Sequence, residues 1–206
     1  MYNLHYFFEQ DQNKVIAFLK NNFFAVVTGF GEQYPVATQL PLNIEIREGG
    51  KIFLTGHLMK NTDHHKSFEK NKNVLVVFTG PHCYVSASWY GTPAVASTWN
   101  YIAVHAKGKI HFTDEAGTYQ AIRTITDKYE GTETIAAFNN LPMEYVQKLI
   151  KAIVGFEIEV STIDNVFKLS QNQNEQIRKS VITELMKRPD EGSKLIAAEM
   201  ESRLTL

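Results

Sequence analysis

Residues Tyr101–Phe112 read YIAVHAKGKIHF, and their alternation decides the fold. Ile102, Val104, Ala106, Ile110 and Phe112 fall on one side of an extended chain. Tyr101, His105, Lys107, Lys109 and His111 fall on the other. Such a strand has one face in a core and one face wet, as in antiparallel sheets. Upstream, NVLVVFTG (Asn73–Gly80) is the most apolar strand, and CYVSAS (Cys83–Ser88) reads as its hairpin partner after Gly80-Pro81. FFAVVTGF (Phe23–Phe30) is a buried strand ending at glycine. VATQLPLNIEI (Val36–Ile46) is a second, with Pro41 marking an edge or bulge. Glu48-Gly49-Gly50 turns it into KIFLTGHL (Lys51–Leu58). Downstream, VGFEIEV (Val154–Val160) returns to strand period.

Helices punctuate this set. Asp11 caps one over Gln12–Asn21, a short one covers Thr62–Lys70, Asp114 opens one through Tyr129, and Pro142 starts another carrying Val146, Leu149, Ile150 and Ile153. The end is helical, with stripes Ile177-Val181-Leu185 and Leu195-Ile196-Met200 separated by Pro189-Asp190. Short strands in hairpin order with helices between them predict a mainly β, α+β protein. The architecture is an antiparallel barrel carrying helices. The expected organisation is a single domain over 1–206 with a helical appendage from about 173. No glycine-rich strand-to-helix fingerprint of a dinucleotide fold is present.

A formal net charge of −1 excludes recruitment of nucleic acid or anionic lipid by a global basic field. Cys83 is the only cysteine, which rules out intrachain disulfides and Cys-based zinc sites and fits a reducing, cytoplasmic location. The N-terminus lacks a signal-peptide pattern, and no apolar run of about 20 residues predicts a membrane span.

Val85–Gly108 gathers both tryptophans, Trp89 and Trp99, with Tyr90 and Tyr101. These could stack on a flat ring while Ser86, Ser88, Thr98 and Asn100 bond its rim. A barrel-closing or dimer-forming aromatic cluster needs the same residues. Lys60 and Asn61 lie where a strand gives way to a helix, so free N–H groups beside an ammonium suit a phosphate. The rival reading is a solvated lysine before a helix cap, and Asp63 opposes an anion unless its carboxylate turns outward. His57, His64, His65, His82, His105 and His111 read as surface or hydrogen-bonded residues, so no metal is expected. Ser86 and Ser88 lack a nucleophile-elbow context, and Cys83 reads as a small core residue. Arg178, Lys179, Lys187 and Arg188 are interleaved with acids, which favours a solvated helix pair over a DNA reader.

VFTGPHCYVSASWY, STWNYIAVHAKG, AIVGFEIEV and FKLSQN, with MYNLHYF, ATQLPL and GHLMKN in order, closely resemble the PaiB-like family of FMN-binding negative transcriptional regulators. The resemblance runs to about residue 200. It implies a split β-barrel homodimer with FMN in a groove at the interface. Phosphate would meet Lys60 and Asn61 with His57 nearby. The isoalloxazine would lie along Thr38 and Leu40, near Phe78. Trp89, Trp99 and Asn100 would approach it, and Lys168, Ser170 and Gln171 would close the site. His105, on the wet strand face, is the candidate for proton transfer. The rival functions are an FMN-dependent oxidoreductase, a DNA-binding repressor with vestigial flavin chemistry, a haem-binding barrel using His57, His64 or His105, and a structural dimer with an empty groove. Two departures, Ser97 and Thr62 where the family pattern has proline, are expected to loosen the neighbouring loops.

Overall fold

A computed structural model describes residues 1–2, 4–91 and 95–204. The chain divides into two compact units. Unit 1 comprises Met1–Phe18, Thr79–Val104 and Asp164–Leu206; unit 2 comprises Leu19–Phe78 and His105–Ile163.

Seven strands form one sheet: β1 (Phe24–Gly29), β2 (Val36–Pro41), β3 (Asn43–Ile46), β4 (Ile52–Met59), β5 (Asn73–Val85), β6 (Thr98–Phe112) and β7 (Ile153–Lys168). Their order is β2-β1-β5-β6-β7-β4-β3, and the pairs β1–β2, β1–β5, β3–β4 and β4–β7 are antiparallel. The two edge strands of that order, β2 and β3, are consecutive in the chain with only Leu42 between them. Leu42 is buried, and its N–H donates to the Phe23 carbonyl at 2.9 Å. A sheet whose edges are joined by one residue has to curl, as a split barrel does.

β6 realises the predicted alternation. Ile102, Val104, Ala106 and Ile110 are buried, while Lys107, Lys109 and His111 are exposed. Two other expectations are corrected. VATQLPLNIEI is two strands rather than one, broken at Leu42; Pro41 ends β2, an edge strand, which is one of its two expected roles. NVLVVFTG and CYVSAS do not form a hairpin, because β5 runs straight through Gly80-Pro81. β1 pairs with Leu75–Val77 of β5, so Pro81 lies beyond that ladder. Gly80 serves close approach rather than a turn: a Cβ there would lie 2.4 Å from the Phe18 ring. The real turn glycines are Gly49 and Gly50, at φ 73° and 74° between β3 and β4.

The helices fall close to their predicted places: α1 (Gln12–Asn21), α2 (Asp63–Lys70), α3 (Glu115–Glu130), α4 (Met143–Ala152), α5 (Glu175–Met186) and α6 (Glu191–Glu201). Asp11 Oδ1 accepts from the Asn13 N–H, and Thr62, Asp114, Asn174 and Asp190 cap four of the others through their side chains. In unit 2, α3 and α4 bury Ile122, Phe138, Val146 and Ile150 as one cluster. In unit 1, α5 and α6 pack on each other and bury Val181, Leu185, Ile196 and Met200.

Candidate functional site

Unit 2 brings together five of the residues singled out by sequence. Thr38 and Leu40 face Val27 and Ala25 across the β1–β2 ladder and stay partly exposed at the edge strand. α2 packs against β2, and β2 also approaches β4, which carries His57. Lys60 and Asn61 form the turn between β4 and α2. Lys60 is anchored at both ends: its N–H donates to the Ala152 carbonyl at 3.0 Å, and its ammonium donates to the Ile150 carbonyl at 3.3 Å. An ammonium has three protons, so donor capacity remains. Asn61 sits at φ 66°, with its N–H directed to His65 Nδ1 at 3.4 Å. Asp63 does turn outward, onto its own helix: Oδ1 accepts from the His64 N–H at 2.7 Å, which holds the carboxyl below its usual range. Burial pushes the His57 imidazole below its ordinary value.

Asn61 and Ser170 are the only non-glycine residues with positive φ among the described residues, at 66° and 60°. Both were singled out as ligand residues by sequence. Backbone strain of this kind concentrates at functional sites.

In unit 1, Asn100, Lys168, Ser170 and Gln171 converge. Asn100 is wholly buried; its Nδ2 donates to Ser170 Oγ at 3.0 Å, and Ser170 Oγ to Asn100 Oδ1 at 3.3 Å. Gln171 closes the turn, accepting from the Leu169 N–H at 2.7 Å and donating to the Phe167 carbonyl. These bonds spend Asn100 and Gln171 on the protein itself. Lys168 donates to Thr98 Oγ1 and to the Trp99 carbonyl.

The tryptophans are outside the core, as a binding or docking surface requires. Trp99 is half exposed against His82 and Tyr84, with ring centroids at 6.2 and 5.9 Å. Trp89 lies under the Arg188 guanidinium at 5.2 Å, and its carbonyl accepts from Ser180 Oγ. Phe78 is completely buried and offers no surface to a ligand held outside the sheet. His105 is half-buried on the wet face of β6. Cys83 is buried, its thiol pushed up to about 11, so it is an inert core residue. Among the described residues, no three of His, Cys, Asp and Glu are placed to hold a metal. No helix there is long and apolar enough to cross a membrane.

Both polar residues that stand in place of proline make hydrogen bonds within their loops. The Thr62 hydroxyl accepts from the His65 N–H and donates to the Met59 carbonyl. Ser97 Oγ accepts from the Ala87 N–H at 3.0 Å. Sequence missed a cavity of about 850 Å³ in unit 2, beside Phe30, Tyr34, Pro35, Leu75 and Lys109. Two aromatics in a glycine- and proline-rich turn, GFGEQYP, were the available signal.

The curled antiparallel sheet defines a split-barrel protein. By fold it is similar to a flavocytochrome from Azotobacter vinelandii (TM-score 0.61, 18% identity, 81% of this chain and 72% of that one). It is likewise similar to an FAD- and haem-binding protein from Mycobacterium smegmatis (TM-score 0.57, 13% identity, 78% and 72%). A family model described as "Putative FMN-binding domain" matches residues 1–162, and the chain belongs to that family. It is 33% identical over 205 residues to the protease synthase and sporulation protein PAI 2 of Bacillus subtilis, covering 99% of this chain and 98% of that protein.

Proposed function

We propose that this chain is a cytoplasmic homodimer that binds FMN and links the flavin to negative regulation of gene expression. Family membership supports FMN as the ligand. The relative with a sporulation name supports a regulatory role. The observation that carries the site is the cationic turn Lys60–Asn61 beside α2, with β2 and His57 around it in one unit. The donor set fits a phosphate ester: an ammonium with spare protons, the Asn61 amide and an imidazole, with the Asp63 carboxylate bound back onto α2.

Bound FMN supplies one- and two-electron redox chemistry. The protein's part is to grip the phosphate at Lys60 and to seat the ring along β2. DNA contact is not assigned to the C-terminal helices, where the four cations singled out by sequence are engaged within the protein. Lys179 meets Glu175 at 2.6 Å, Lys187 meets Glu184 at 2.5 Å, Arg178 donates to the Arg203 carbonyl and Arg188 to the Tyr84 carbonyl.

Titration of FMN, read by quenching of flavin fluorescence, tests the site. Lys60→Ala removes a charge-assisted bond worth about 1.5–3 kcal/mol, so affinity falls about 10- to 100-fold. Lys66→Ala, on the exposed side of α2, leaves it unchanged. Equal affinity in wild type and Lys60→Ala removes the phosphate from this turn. A Soret band on haem addition with no FMN response replaces flavin by haem.

A further inference from the structure

Unit 1 has a cavity of its own, about 270 Å³, bounded by Tyr90, Thr98, Asn100, Lys168, Ser170 and Gln173 among others. Among the described residues of its lining, the Lys168 ammonium is the only formal charge, and there is no Asp or Glu. Both hydrogen bonds that the ammonium makes among the described residues go to neutral oxygens, Thr98 Oγ1 and the Trp99 carbonyl. Its third proton makes no hydrogen bond among the described residues; the ammonium also lies 6.0 and 5.9 Å from the Tyr2 and Phe7 ring centroids, weak contacts at the outer limit of cation–π attraction. Partial burial without a counter-ion is a costly state for a cation. It shows here as an amine pushed below the ordinary lysine range, with burial as the cause.

The placement of this lysine is built. Lys168 ends β7, and the turn after it puts Ser170 at φ 60°, a left-handed conformation that non-glycine residues rarely adopt. Reciprocal bonds to the wholly buried Asn100 and the double bridge through Gln171 hold that turn. The strain and the polar network together fix one cation on one cavity.

We infer that this cavity is a binding site for a compact oxyanion, a carboxylate or a phosphate group, seated on the Lys168 ammonium. Its volume in the single chain suits a compact anion. The family resemblance sets Asn100, Lys168 and Ser170 beside FMN, whereas the phosphate grip proposed above is at Lys60, so the oxyanion on Lys168 is a second ligand group and is tested apart from FMN.

Competitive labelling of the wild-type protein tests this. Phenyl isothiocyanate, a neutral amine reagent, is applied briefly at about pH 8, and modification is quantified by peptide mass spectrometry. An oxyanion on Lys168 raises its pKa again, and each unit restored slows labelling about tenfold. Inorganic phosphate and acetate are the probes, with chloride at matched ionic strength as the control. Slower labelling of Lys168 by either probe, with exposed Lys66 unaffected, supports the site, and the stronger of the two identifies the anion. No slowing beyond chloride overturns it. Protection by FMN with none from phosphate or acetate also overturns it; the cavity then belongs to the flavin, and the FMN reading survives.

Discussion

His57 hangs from β4 opposite Gly155, and burial keeps its imidazole below the ordinary value of 6.5. Protonation is therefore easier in the unfolded chain than in the folded one. The unfolded state takes up protons first as pH falls, so stability is full above about 6.5 and is lost on acidification toward the folded value. Urea midpoints measured between about pH 7 and pH 5 are expected to fall, and His57→Gln should flatten part of that slope. Identical slopes would show that His57 contributes nothing. Single residues were unevenly legible. Lys60 and Asn61 stood out because free N–H groups at a strand-to-helix junction beside an ammonium suit a phosphate, with a solvated lysine before a helix cap as the rival reading. Asn100 also stood out, yet its chemistry was hidden: an asparagine between two aromatics reads as a ligand donor, and only the fold shows it bonded to Ser170, seventy positions away. At Thr62 and Ser97 a proline's rigidity is visible in sequence, whereas the hydrogen bond a hydroxyl makes in its place is not.

Elements with a local cause were read correctly. β6 declares itself through period-two alternation, α2 and α3 through their capping residues, and the β3–β4 connection through two glycines that need positive φ. The element that failed was β5, where Gly80-Pro81 carries the signature of a turn. Its glycine answers to a distant demand: α1 presses the Phe18 ring against the strand, and a Cβ at position 80 would stand 2.4 and 2.8 Å from two ring carbons. Gly80→Ala therefore costs about 1–3 kcal/mol by overpacking, without any change in turn geometry. If the ring is the obstacle, Phe18→Leu combined with Gly80→Ala loses less than the two single changes added together. Chemical denaturation of the four proteins measures this. Strict additivity would return Gly80 to a backbone role.

At the scale of the molecule, the least legible feature is how the chain's ends are tied within unit 1. Residues 173–206 read as an appendage because amphipathic helices after the last strand announce no partner. In the structure they are fastened at several points. Ser180 Oγ donates to the Trp89 carbonyl, Asn100 Nδ2 reaches Met200 Sδ at 3.5 Å, and Arg203 meets Glu9 at 2.6 Å. Glu9 is itself clasped to β7, its N–H donating to Asn165 Oδ1 at 2.8 Å and its carbonyl accepting from Asn165 Nδ2 at 3.1 Å. Arg203 also holds Glu199 at 2.8 Å, so one guanidinium joins the last helix to the first segment. The Glu9 side chain is only 8% exposed. Arg203→Met leaves that carboxylate buried without its cation, an arrangement that costs about 3–5 kcal/mol. Adding Glu9→Gln removes the orphaned charge, and much of the loss should return even though the ion pair is gone. Thermal melts of wild type, Arg203→Met and the double variant distinguish a charge effect from a packing effect. If the double variant melts no higher than Arg203→Met, the arginine acts through its contact with the Phe167 ring at 5.3 Å, and the ends are held by packing alone.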